Sequence, residues 1–209
     1  MGKVKTKKKD TFIDMTAMSD VTVLLITFFM LTANFIPLEP IQVITPASVM
    51  ETKVPDYNLI NILIDPKGKV YMNITNPAAK RDKIETLERM GAKYSITFTD
   101  KEKANFGEPT TFAAVPMGLM KQFLTVDVIE QKDFLREHDG GGIPTDSLNN
   151  QLAEWIKAAK AVNRDFQLSI KADQNTPYPL VRGVTSTLQD IKENRFSLVT
   201  QLRGMPEGF

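Results

Sequence analysis

The chain has 209 residues, with 26 Lys and Arg against 25 Asp and Glu and a formal net charge of +1. That balance leaves no strong field for nucleic acid outside the N-terminal tail, and no nucleic-acid partner is expected. There is no cysteine, which removes disulfides and thiolate metal sites.

Lys3, Lys5, Lys7, Lys8 and Lys9 crowd the first residues, and residues 1–11 read as a basic tail. Beside a membrane span, the positive-inside rule puts that tail in the cytoplasm and everything after Pro37 outside it.

Residues 12–36 form the one apolar stretch of membrane length. As a helix they extend about 37 Å, enough to cross a hydrocarbon core of about 30 Å. The stretch contains Asp20, and a carboxylate at mid-helix costs roughly 2.5–3.5 kcal/mol on insertion scales. Packing gives no reason to retain it, so Asp20 is the first functional candidate. The alternative is a shorter span that begins at Val21 and leaves Asp20 in the headgroups. Against that, Phe12, Ile13, Met15, Ala17 and Met18 keep the segment apolar upstream. Asp20, Thr27 and Asn34 are spaced by seven and Thr16 lies four before Asp20, so the four share one stripe. Such a stripe faces protein or water. A cleaved signal peptide fits poorly, because Asp10, Asp14 and Asp20 interrupt the start and the apolar run is long.

Residues 37–57 carry Pro37, Pro40, Pro46 and Pro55 and read as an extended linker. Ile41, Val43 and Ile44 keep strand character and can add to a sheet edge of a sister chain, or the segment is a plain tether. A domain over residues 58–203 follows, and 204–209 form a tail. The domain opens with a hairpin: strands over 59–64 and 69–74 flank the turn Asp65-Pro66-Lys67-Gly68. Helices are expected over 81–90, 117–124 and 132–136. Asp146 is expected to cap a helix carrying Leu148, Leu152, Trp155, Ile156 and Ala159. A strand over 166–170, a helix through Leu180, Val181, Val184, Leu188 and Ile191, and a strand from Phe196 complete the chain. The fold class is α+β: one N-terminal transmembrane helix, then a hairpin and αβαβ with helices on one face of a sheet.

No enzyme emerges from these residues. His138 is the only histidine, so a metal cluster or Ser-His triad has no parts, and no metal or cofactor is expected. Asp139-Gly140-Gly141-Gly142 lacks the ending of a phosphate loop and reads as a flexible joint. Trp155 reads as core, and Met117 and Met120 as core filler.

Ile13-Asp14-Met15-Thr16-Ala17-Met18-Ser19-Asp20-Val21, followed by Leu24-Leu25-Ile26-Thr27-Phe28-Phe29-Met30, resembles the transmembrane signature of the ExbD/TolR biopolymer-transport proteins. Asp20 falls on that family's proton-carrying acid and Thr16 on its characteristic threonine, while Ala17 departs from the common proline. Phe166-Gln167-Leu168-Ser169-Ile170-Lys171-Ala172-Asp173, then Gln174-Asn175-Thr176-Pro177-Tyr178, resembles the family's strand, Ala-Asp turn and last helix start. The region after the membrane, from Ile41 to Ser48, is similar too. The resemblance covers 11–75 and about 147–203, and residues 76–146 look like an expansion.

What the resemblance implies is an ion-driven motor subunit in the bacterial inner membrane, with a periplasmic domain. Its partners would be a multi-span ExbB/TolQ-like ring, a second copy of the chain, and a TonB- or TolA-like protein. Peptidoglycan would be a partner in a TolR-like envelope role. A TonB-linked motor, a TolR-like subunit and an anchored scaffold without ion coupling all stay open, as does the choice between H⁺ and Na⁺.

Overall fold

A computed structural model of the protein describes residues 15–33, 43–48, 57–137, 141–146 and 149–202. The chain divides into two units, residues 1–37 and 38–209. The first contains α1, Met15–Thr32, an 18-residue helix long and apolar enough to cross a membrane. At 1.5 Å per residue it extends about 27 Å, close to the hydrocarbon thickness. The expected ends of the span, 12–14 and 34–36, lie outside the described residues, as do the tail lysines.

The second unit is built on a four-stranded sheet. Its strands are β2 (Leu59–Ile64), β3 (Val70–Thr75), β6 (Gln167–Ala172) and β7 (Phe196–Leu198). The spatial order is β3-β2-β6-β7, antiparallel in the hairpin and parallel across β2/β6 and β6/β7. The hairpin turns where the sequence places it. Asp65 accepts from the Lys67 N–H through its side chain and from the Gly68 N–H through its carbonyl. Gly68 takes φ of +80°, which a β-carbon would strain.

Ladder register gives the sheet one continuous apolar face. Ile60, Ile62 and Ile64 stand opposite Ile74, Met72 and Val70, and beside Leu168, Ile170 and Ala172. The first eight are buried. They share a core with Leu87 and Met90 of helix α2 (Ala79–Tyr94), Leu152, Trp155 and Ile156 of α6 (Gln151–Val162), and Val184 and Leu188 of α7 (Tyr178–Asp190). Trp155 stacks on Phe106 with ring centroids 5.7 Å apart. The α+β architecture with one apolar N-terminal helix is therefore as the sequence indicates.

Residues 76–146 hold the tail of that core. Besides α2 they supply α3 (Asp100–Gly107), α4 (Met117–Thr125) and α5 (Gln131–Glu137). Met117, Met120, Phe123 and Leu124 of α4 are buried among the others. Lys83 of α2 is buried too. Its Nζ donates to the carbonyls of Glu108 (2.7 Å) and Thr111 (2.6 Å), and it lies 5.7 Å from the Phe106 ring centroid. Burial pulls its pKa down to about 7, with the Glu108 charge opposing that shift.

Three local expectations need correction. Asp146 does not cap α6; it lies in β4 (Thr145–Asp146), which pairs with β5 (Asn149–Asn150). The cap is Asn150, whose side chain accepts from the Ala153 N–H at 3.0 Å. Leu148 and His138 lie outside the described residues. Gly141 and Gly142 are also not a loose joint. The Gly142 N–H donates to Ala114 O, and at φ of +109° a β-carbon there would meet the Lys69 side chain at 3.0 Å. The last expected strand is two pieces, β7 and β8 (Gln201–Leu202).

Candidate functional site

The candidate site is the polar stripe of α1. In an apolar segment every polar group needs a partner, and most of this helix's hydroxyls find one on the helix itself. Ser19 Oγ donates to Met15 O, Thr22 Oγ1 to Met18 O and Thr32 Oγ1 to Phe28 O, all at 2.8–2.9 Å. Thr27 Oγ1 lies 2.9 Å from both Val23 O and Leu24 O. Thr16 is engaged as well.

Asp20 differs. A carboxylate only accepts hydrogen bonds when ionised, and a helix interior offers it no free donor. Among the described residues Asp20 has no hydrogen-bond or ion-pair partner. No residue of α1 is buried. A rise of about 1.5 Å and a turn of about 100° per residue place Thr16 about 6 Å and Thr27 about 10 Å from Asp20, nearly in line. The helix thus presents one acid among hydroxyls that already have partners, on a surface otherwise made of Ala, Val, Leu, Ile, Phe and Met. Asn34, the last member of the expected stripe, lies outside the described residues.

The second group of candidates follows the membrane segment. Residues 43–46 are extended and alternate: Val43 and Thr45 are buried, Ile44 and Pro46 exposed. The Ile44 N–H donates to Asp173 Oδ2 at 2.9 Å, and Ile44 O accepts from the Gln174 N–H at 2.8 Å. Next, β1 (Ala47–Ser48) runs parallel to β8. This single chain therefore seats the segment on its own domain. Ile41 lies outside the described residues.

Asp173 is the residue whose role the sequence did not reveal. Its Oδ1 accepts from the Asn175 N–H at 2.9 Å while Oδ2 holds Ile44. Those two backbone bonds, Asn175 first and Ile44 second, lower its pKa from the ordinary carboxylate value. The only local signal was an Asx-type turn before a helix; the partner is 129 residues away in sequence.

No group of His, Cys, Asp and Glu among the described residues is arranged to hold a metal ion. The arrangement can carry a charge on Asp20, and it ties the segment after the helix to the domain through Asp173.

Comparison with known proteins gives the same direction. The family model described as "Biopolymer transport protein ExbD/TolR" matches residues 6–203, across the expansion as well as its flanks. Neither a search of curated proteins nor one of solved structures returned a match. Members of this family are non-enzymatic transport components that work in membrane complexes with ExbB/TolQ-type partners. Among the described residues one helix, α1, is long and apolar enough to span a membrane, and the chain belongs to the ExbD/TolR family as an energy-coupling subunit of biopolymer transport.

Proposed function

We propose that this chain is the proton-carrying subunit of an ExbB-ExbD-type inner-membrane motor that energises TonB-dependent transport across the outer membrane. One observation carries the reading: Asp20 is the single acid of an apolar 18-residue helix and finds no partner within it. Ionised, the carboxylate seeks a polar or cationic partner; protonated, it tolerates an apolar wall. Alternation between these states biases how the helix sits against its neighbours. One proton crossing the field supplies about 2.3 kcal/mol per 100 mV.

A single helix has no second wall for a proton path, so the path needs a multi-span ExbB/TolQ-like ring and a second copy of this chain. Thr16 and Thr27 line the same stripe, with Asn34 beyond them. The lysines of the tail set the N-terminus in the cytoplasm, and the α+β domain works in the periplasm on a TonB-like partner. The Val43–Ile44 segment, with Ile41, is the element through which two copies exchange or release contacts as the motor turns.

The test is Asp20→Asn in two backgrounds, one lacking ExbD and one lacking TolR. The amide keeps size and polarity and cannot ionise. The wild-type chain should restore TonB-dependent uptake, and the variant should assemble with the ring and restore nothing. Normal uptake by Asp20→Asn would sink the proton-carrier role. Rescue only in the background lacking TolR would move the chain to the envelope-integrity system.

A further inference from the structure

Residues 110–135 wall an apolar pocket that neither the membrane stripe nor the Asp173 contacts use. It has a volume of about 270 Å³ and is walled by Phe112, Ala114, Phe123, Val128 and Leu135. A cavity of roughly 150 Å³ already accepts benzene, and ligand sites begin at about 300 Å³. This one therefore has room for more than a single ring and opens to solvent.

Its deep wall is firm. Phe112, Ala114 and Phe123 are buried and belong to the domain core. Ile129 is at the mouth and is 87% exposed. The polar groups of the lining are biased toward donors. The Gln131 side-chain amide nitrogen is buried without a hydrogen-bond partner. Beside it, Lys132 is half-buried and makes no ion pair among the described residues. A buried unpaired donor is destabilising by about 1–3 kcal/mol. An apolar wall with two unpaired donors at its side matches one ligand chemistry: an aliphatic body bearing an anionic acceptor.

We propose that this pocket binds a medium-chain aliphatic carboxylate, its chain against Phe112, Phe123 and Val128 and its head at Gln131 and Lys132. The site does not depend on Asp20 or on ion coupling.

The experiment uses the full chain in lipid nanodiscs and decanoic acid carrying a photoactivatable diazirine at the chain end, with crosslinks mapped by mass spectrometry. Labelling should fall within residues 110–135 and be competed by unlabelled decanoate but not by decyltrimethylammonium. Val128→Phe, which fills the wall, and Lys132→Glu, which reverses the charge, should each reduce labelling about tenfold, equivalent to about 1.4 kcal/mol. Lys132 is at the surface of α5, so its variant decides the matter even where Val128→Phe perturbs folding. Equal competition by the cationic amphiphile would show an unspecific apolar surface and overturn the proposal. Labelling blocked only by phospholipid, or unchanged in Lys132→Glu, would overturn it as well.

Discussion

Replacing Lys83 with Met should remove a pH dependence of stability that the wild-type domain carries. The side chain is 1% exposed and its folded pKa is about 7, against 10.5 for the free group. Burial lowers the value, so the unfolded chain binds more protons than the folded one between those two pH values. Stability therefore rises with pH across that window. The contribution is complete above about 10.5, falls away as pH drops, and is lost below about 7. At about 1.36 kcal/mol per pKa unit, the wild type should gain roughly 2 kcal/mol between pH 7 and pH 9. Met fills a similar volume and cannot titrate. It also leaves Glu108 O and Thr111 O without their donor, so the variant should be less stable than wild type at pH 9. The assay is urea unfolding followed by the fluorescence of Trp155, the one tryptophan, which is fully buried. The difference between wild type and Lys83→Met cancels every other titration. If that difference is the same at pH 7 and pH 9, Lys83 stays charged in the fold and the reasoning fails.

Trp155→Ala should destabilise the domain by about 3–5 kcal/mol in the same urea assay, with Trp155→Phe the milder change. The Trp155 indole N–H is buried without a partner, so Phe loses packing but also removes an unpaired donor. Asp173→Ala should release residues 43–48, read as faster proteolysis or hydrogen exchange at Ile44 with the core unchanged. Protease added to spheroplasts should cut within residues 58–203 and leave residues 1–11 untouched; an intact C-terminal domain under those conditions would reverse the orientation drawn from the lysines.

What the sequence displays well is what local chemistry decides. Leu59–Ile64 is a strand with the expected bounds, because a β-branched run meets a turn that only Asp-Pro-Lys-Gly chemistry explains. Helix α1 is legible from hydropathy. Helix α3 escaped notice although its signal was present: Thr99 and Glu102 form a capping box, each side chain bonding the other's backbone N–H. Asp146 was a plausible cap, but Asn150 wins because its amide also donates to Thr187 Oγ1 of α7, a tertiary partner that no local window contains. The tie between Asp173 and Ile44 was hidden for the same reason. The stripe of α1 shows the opposite case: its geometry follows from helical spacing alone.

The sheet edges decide where a further strand can pair. The β3 edge is closed by other residues of this chain. Met72 bonds Ala113 in both directions, Val70 O accepts from the Ile143 N–H, and the Ile74 N–H donates to the Asn73 side chain. These bonds occupy both backbone groups of Met72, the Val70 carbonyl and the Ile74 N–H, which is how edges avoid unwanted pairing. The β7 edge is three residues long, and Leu198 at its end is 56% exposed. On that side of the domain the segment 43–48 is held by two backbone-level bonds at Ile44 and a two-residue ladder with β8. The proposed exchange between two copies would reuse these same bonds, so it would alter few contact energies. A cysteine pair, Ile44→Cys with Gln174→Cys, separates the two arrangements. In the isolated chain it should close within one polypeptide, and in the assembled ring it should also give a covalent dimer. If only the intramolecular bond forms in every state, the segment is a strap internal to its own domain and the proposed exchange is refuted.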